Sequence, residues 1–366
     1  MAELASPRLA LFDDFPHERG HHPDFMMGLG AAAGARLYCP PSFLDGRDDV
    51  GHLPHLPMSG APDRSPEATT RNLRLAYDDA QTAGCDVLVN LFIDENWDSF
   101  PIRRDRMRMA HSLHRPGELT GRLGGVNAVK SGDAVATVRE LARQDLFIVH
   151  TPIGERQARQ WLPAERVIRI GWPAARAADI RRRFASPPPL SGDGEPYVLM
   201  MGEALAYKGI HCLLEAVSNG PLLRIAGNLA VGDAAWLARE YPKARVTWEP
   251  GWVTRARMDE LLEGAAVVAF PYLDDFADHG GISAALVHAL CYAKPVVVST
   301  SLAGQVPNSV ACPVVAPVAD ALADALARMM ADPIGWHEAV RALEPYFLRE
   351  HTYEAHVDRL LDRLTA

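Results

Sequence analysis

The chain has 366 residues, 48% of them hydrophobic, and a formal net charge of −9 at pH 7. At roughly 100–200 residues per domain this length predicts two or three domains, and no window holds the roughly 18 unbroken apolar residues of a membrane-crossing helix. The acidic balance argues against binding a nucleic-acid backbone, which needs a basic surface; it still admits a local basic site for a diphosphate, or peripheral membrane docking through a local patch.

The first residues, MAELASPRLALFDDF, have no basic start followed by an apolar core, so no signal peptide is expected. Cys39, Cys85, Cys212, Cys291 and Cys312 are odd in number, widely spaced and without a CxxC. They argue against a disulfide framework or a zinc site and read as small core residues, which predicts a reducing compartment, the cytoplasm.

In chain order, residues 8–12 (RLALF) read as the first strand, followed by a polar loop over 13–22 with Pro16, Gly20 and the pair His21-His22. A helix is expected over 25–35 and a strand over 35–39, ended by Pro40 and Pro41. Residues 43–66 read as a long loop, 69–82 as a helix and 86–92 (DVLVNLF) as a buried strand. Strands follow at 124–129, 146–150 and 166–170, with a helix at 155–161. Residues 186–196, SPPPLSGDGEP, have the composition of a surface linker. Beyond it the pattern restarts, with strands at 197–201, 222–226, 245–248, 267–271 and 295–299 and helices at 209–217, 234–241, 255–262, 282–292 and 319–331. A last helix over 353–364 sets Val357, Leu360, Leu361 and Leu364 on one side.

Apolar strands alternating with helices imply parallel sheets covered on both faces. The expected fold class is therefore α/β: two Rossmann-like domains, residues 1–185 and 197–345, joined by the linker 186–196. Residues 346–366 are expected to form a C-terminal helix that packs back across the domains. Ligands bind at the carboxyl ends of such strands, so an interdomain cleft is the expected site.

Two segments stand out. In FPYLDDFADHGGISAALVHALCYAKPVVVS, residues 270–299, a strand gives way to an acidic loop and then to Gly280, Gly281, Ile282 and Ser283 at a helix start. Free N–H groups and the helix dipole favour an anion there. In VLMMGEALAYKGIHCLLEA, residues 198–216, a strand ends at Gly202 and Lys208-Gly209 open a helix, placing a point charge suited to a diphosphate. Taken singly, each is also what an ordinary strand–loop–helix connection looks like.

Together with Gly227-Asn228 and Gly251, each following a strand, these segments resemble the C-terminal domain of family-four retaining glycosyltransferases (glycosyl transferases group 1), of GT-B architecture. The likeness covers about residues 197–332, with a looser match over 146–173. It implies transfer of a hexose-type sugar from a nucleoside diphosphate sugar to a hydroxyl on a glycan or small molecule, with retention and with no metal or other cofactor. Gly202, Lys208, Gly227, Asn228, Gly280, Gly281, Ile282, Ser283 and His288 would hold the donor, Lys208 stabilising the leaving diphosphate.

The family's two glutamates, eight positions apart, fall here on Gly280 and His288, and its usual arginine beside the strand-end glycine on Glu203. On the acceptor side Gly20, His21 and His22 follow the first strand and would touch phosphate or an acceptor hydroxyl, His21 and His22 with a catalytic role. Asp94 and Glu95 would orient acceptor hydroxyls. The lost glutamates keep a non-catalytic sugar-nucleotide-binding protein in view, and a sugar-nucleotide epimerase or a transferase using a lipid-linked acceptor are further alternatives.

Three motifs are set aside. Gly28, Gly30 and Gly34 lie in a helix pattern rather than at a strand-to-helix turn, so they fail the context test for a dinucleotide fingerprint. Asp274, Asp275 and Asp278 read as a solvated loop. His52, His55, His111 and His114 are too scattered to form a ligand set.

Overall fold

A computed structural model describes residues 8–15, 21–44, 53–58, 65–100, 107–119, 134–186, 195–230, 232–273, 276 and 279–365. The chain divides into two compact units. The first comprises Met1–Arg176, Asp278–Ile282 and Glu350–Ala366; the second comprises Ala177–Ala277 and Ser283–Arg349.

The first unit is built on β1 (Leu9–Phe12), α1 (His22–Ala33), β2 (Arg36–Cys39), β3 (His55–Pro57), α2 (Pro66–Thr82), β4 (Val87–Asn90), α3 (Ile93–Asn96), β5 (Arg108–Ser112), α4 (Pro116–Leu119), α5 (Ala134–Leu141), β6 (Leu146–Val149), α6 (Pro152–Ala158) and β7 (Val167–Arg169). Its seven strands run parallel in the order β3-β2-β1-β4-β5-β6-β7. Leu11 of β1 lies between Leu37 of β2 and Val89 of β4, so the centre of the sheet is apolar on both sides. Ser65 caps α2 by accepting from the Ala68 N–H, and Thr151 caps α6 by accepting from the Gly154 N–H. These caps, each followed by a proline that suits a first helical position, start the two helices earlier than the expected 69 and 155.

The second unit holds α7 (Ala177–Ala185), β8 (Tyr197–Met201), α8 (Ile210–Ala216), β9 (Leu222–Ala226), α9 (Ala234–Glu240), β10 (Val246–Glu249), α10 (Arg255–Gly264), β11 (Val267–Phe270), α11 (Ala284–Cys291), β12 (Val296–Ser299), β13 (Val314–Val315), α12 (Ala319–Ala331), α13 (Pro333–Arg341) and α14 (Glu344–Glu350). Six parallel strands follow the order β10-β9-β8-β11-β12-β13. Fully buried Val198, Leu213, Val267, Val297 and Leu322 join the sheet to its helices in one core. Lys294 is buried too, and its ammonium donates to the carbonyls of Glu263 (2.5 Å) and Ala265 (3.2 Å), closing the end of α10.

Several expectations need correcting. The long loop over 43–66 contains edge strand β3, hidden because Pro54 and Pro57 flank a single apolar Leu56. The central strand β5 was not foreseen, since Arg108 and His111 interrupt its apolar run. Helix α7, counted on the sequence with the first domain, groups with the second unit, where the Arg341 Nε donates to the Phe184 carbonyl at 2.6 Å. The strand expected at 124–129, and residues 187–194 of the expected linker, lie outside the described residues. The C-terminal helix, Tyr353–Thr365, belongs to the first unit. Among the described residues no helix is long and apolar enough to cross a membrane.

Candidate functional site

In the second unit, three neighbouring strands end in glycine with left-handed backbone: Gly202 after β8 (φ 89°), Gly227 after β9 (φ 134°) and Gly251 beyond β10 (φ 88°). A Cβ on Gly227 would overlap the Gly202 carbonyl, so the two backbones meet as closely as they do only because 227 is glycine. The Gly202 N–H donates to the Ala226 carbonyl (2.9 Å) and the Ala204 N–H to the Asn228 carbonyl (2.7 Å), which ties the loop after β8 to the end of β9. Asn228 itself is exposed.

The chain then makes a 3-10 turn, Ala206–Lys208, and enters α8 through Gly209 at φ 71°. A Cβ on Gly209 would strike the Pro271 carbonyl. This turn lays Lys208 back over the strand ends. Its Nζ sits 5.7 Å from the Tyr272 ring centroid, and would be 3.5 Å from a Cβ placed on Gly202. Burial pushes the Lys208 pKa down, against the pull of Tyr207 and Glu203. Lys208 forms no ion pair among the described residues. A desolvated ammonium that is not held in an ion pair is a binding element for an anion.

The helix start at Ser283 is more heavily committed to the protein than its sequence implies. Ser283 caps α11 by accepting from the Leu286 N–H, its N–H donates to Gln305 Oε1 (2.7 Å), and its Oγ donates to the Tyr272 hydroxyl (3.2 Å). Ser283 is 4% exposed, and its amide is not available to a phosphate. Gly280, Gly281 and Ile282 group with the first unit. There the Gly280 carbonyl accepts from Thr151 Oγ1 at 2.6 Å, and a Cβ on Gly280 would collide with Gln157 and lie 3.0 Å from the Gly154 Cα. Glycine at 280 thus lets the turn approach the start of α6. His288 is half-buried one turn into α11, its ring 5.0 Å from that of Tyr292.

At the strand ends of the first unit, Asp13 follows β1. Its Oδ2 accepts from His22 Nδ1 at 3.0 Å, and both residues are buried. The His22 ring is stacked between Phe92 (3.6 Å) and Phe15 (4.0 Å). His21 lies beside it, 5.0 Å from the His22 ring and 5.1 Å from Trp172.

Asp94 departs from its expected role. It is 1% exposed, accepts from the His114 N–H (3.2 Å) and lies 3.7 Å from Arg115 Nε, so it braces the β5–α4 connection rather than facing an acceptor. Glu95 belongs to α3, and Gly20 lies outside the described residues. His114 and His150, which had no expected role, are buried behind this region. His114 Nε2 donates to the Leu91 carbonyl (2.9 Å); His150 Nδ1 donates to the Ile170 carbonyl (3.0 Å) while its Nε2 accepts from Ser112 Oγ (2.8 Å). Burial pushes His114 well below the usual histidine range and His150 down to about 3. Asp13 was likewise overlooked; its place directly after a strand, nine residues before His22, was the available clue.

Residues 195–332, which carry all three glycine strand ends and Lys208, match the family model of glycosyl transferases group 1. The two-sheet α/β architecture is that of GT-B glycosyltransferases across the whole chain. Sucrose-phosphate synthase from Thermosynechococcus elongatus is similar at 19% identity, with 98% of each chain covered and a TM-score of 0.66. HepE of Anabaena, solved in complex with UDP, is similar at 15% identity, with 98% of this chain and 99% of that chain covered and a TM-score of 0.66. WaaG, a glycosyltransferase involved in lipopolysaccharide biosynthesis, is similar at 13% identity, with the same coverage and a TM-score of 0.63. No curated protein sequence matches the chain.

Proposed function

We propose that this protein is a glycosyltransferase that moves a hexose-type sugar from a nucleoside diphosphate sugar to a hydroxyl acceptor, a glycan or a small molecule. The observation that carries the reading is Lys208, a desolvated cation that forms no ion pair among the described residues, held over glycine strand ends inside the segment that matches glycosyl transferases group 1. Negative charge grows on the diphosphate as the glycosidic bond breaks, and a preorganised cation stabilises that charge more than it stabilises the bound donor. Asn228, exposed at the end of β9, offers hydrogen bonds to the same ligand. His21 and His22 supply the acceptor-side groups. The UDP bound in HepE supports a nucleotide donor of this class.

The test is a panel of UDP-, GDP-, ADP- and dTDP-sugars, scored by thermal shift and by nucleotide release. One donor should stabilise the protein and be turned over, and Lys208→Ala should abolish release. Absence of a shift with every nucleotide would refute the assignment.

A second reading, donor binding without turnover, draws on one observation. Gly280 has a left-handed backbone, φ 68°, and a Cβ there would crowd Gln157 and the Gly154 Cα, so the carboxylate that the resemblance places at this position is replaced by a residue that suits the turn and offers no side chain. Binding without release in any acceptor mixture would select this reading.

A further inference from the structure

We propose that the β13 edge of the second unit is an interface at which two copies of this chain meet about a two-fold axis. The inference rests on the sheet edge alone and holds whether or not a sugar donor is turned over.

Residues 295–319 form the longest stretch of the chain without a charged side chain. They supply β12, β13 and the turns on either side of β13. Asn308 Oδ1 accepts from the Val310 N–H (3.0 Å) and the Ala311 N–H (2.8 Å), and the turn presents Val310 at 80% exposure. Beyond the strand, the Val318 N–H donates to the Ala316 carbonyl (2.8 Å), and Val318 is 53% exposed. Two apolar side chains thus flank β13 on backbone that is already hydrogen-bonded, so little further ordering opposes their burial.

The strand between them is open on one side. It stands last in the sheet, beside β12. The Val298 N–H donates to the Pro313 carbonyl (3.0 Å), and Val298 is in register with Val314. In a parallel ladder with this register Pro313 and Val315 turn their backbone groups toward β12, and Val314 turns its N–H and C=O outward. The other three sheet edges are guarded. Leu56 of β3 lies between Pro54 and Pro57, β7 is bounded by Arg166 and Arg169, and β10 by Arg245 and Glu249. Charges and prolines of this kind keep edge strands from pairing. β13 has no charge, and its Pro313 faces the inner side.

The occupant that fits is a second copy. With a formal net charge of −9, copies of the chain repel one another through most of their surface. An uncharged edge removes that repulsion locally and gives no handle to a partner recognised by opposite charge. A two-fold axis through this edge sets the two strands antiparallel, so the Val314 N–H and C=O of each copy meet the complementary groups of the other. Val310 and Val318 lie equally far before and after Val314 in the chain. The same axis therefore brings Val310 of one copy toward Val318 of the other.

The experiment is sedimentation equilibrium of the full chain over a concentration series, which should find a monomer–dimer equilibrium. Val310→Lys and Val318→Lys, which place a charge in an apolar contact, should each weaken it roughly tenfold or more. Val314→Pro, which removes the outward N–H, should do the same. Circular dichroism melts check that each variant folds, and the two lysine variants at exposed positions decide the matter if Val314→Pro does not. Mild oxidation should link Val314→Cys into a covalent dimer and should leave Thr247→Cys, exposed on β10, unlinked. A wild-type monomer at every concentration overturns the proposal, also where the protein then co-sediments with phosphatidylcholine vesicles, another surface that an uncharged edge suits. A dimer that both lysine variants leave intact, or that links through Thr247→Cys and not through Val314→Cys, overturns it as well.

Discussion

Glycine positions in this protein divide into those that shape the backbone for itself and those that clear space for a ligand. Gly209 is of the first kind. A Cβ there would strike the Pro271 carbonyl, and the residue sits at φ 71°. The left-handed conformation alone costs a non-glycine residue about 1–2 kcal/mol, and the clash adds to it. Gly209→Ala should therefore lower the urea midpoint of the second unit and displace Lys208, weakening nucleotide binding with it. An unchanged midpoint would mean that the 3-10 turn relaxes freely and does not set the lysine. Gly251, where a Cβ meets nothing within 4 Å, is the natural control. Gly280 was harder to understand from its neighbours in sequence. Its meaning depends on Gly154 and Gln157, residues far upstream that only folding brings to it.

At the scale of elements, the apolar strands β1, β4, β6, β8, β11 and β12 were legible as short runs of Val, Leu, Ile and Phe, and the glycines after β8 and β9 marked where those runs stop. Strand β5 was not, because its His111 is satisfied by buried Asp145 at 3.0 Å, a partner that no local pattern reveals. The C-terminal helix was legible as amphipathic, but its partner was not. Tyr353 lies against Gly28 of α1, His351 Nδ1 donates to the Trp172 carbonyl (2.8 Å), and His356 Nδ1 donates to the Gly171 carbonyl (3.2 Å). The glycines of α1 thus serve helix-to-helix approach. Gly28→Ala should cost about 1–3 kcal/mol, as overpacking of a core does, and most of that cost should vanish in a Tyr353→Leu background. Additive effects in urea unfolding would show that the two sites do not touch.

Across the whole molecule, buried histidines are unevenly shared between the units. His114, His150, His351 and His356 in the first unit are all lowered by burial, His150 to about 3 and His351 and His356 to about 4; in the second, burial likewise lowers His337 to about 4. A folded-state pKa below the unfolded value means that the unfolded chain binds more protons between the two. Stability is then full above about pH 6.5 and falls as the pH drops toward 4, by up to about 1.4 kcal/mol per pH unit for each such group. Hydrogen exchange followed from pH 7 to pH 4 should find the first unit opening at higher pH than the second. Simultaneous opening, or opening of the second unit first, would contradict that assignment of acid sensitivity. The fold is legible in the sequence because two parallel sheets leave period and punctuation in the chain. The donor and acceptor leave no such mark.

The most direct test of the central claim is calorimetric titration of UDP, GDP, ADP and dTDP, each beside its parent nucleoside, into wild type and Lys208→Ala. One diphosphate should bind wild type and lose roughly 10- to 100-fold in affinity in the variant, the size of a lost hydrogen bond to a charged group, while its nucleoside binds both proteins alike. Equal binding of the diphosphate to both proteins, or none to the wild type, would contradict it.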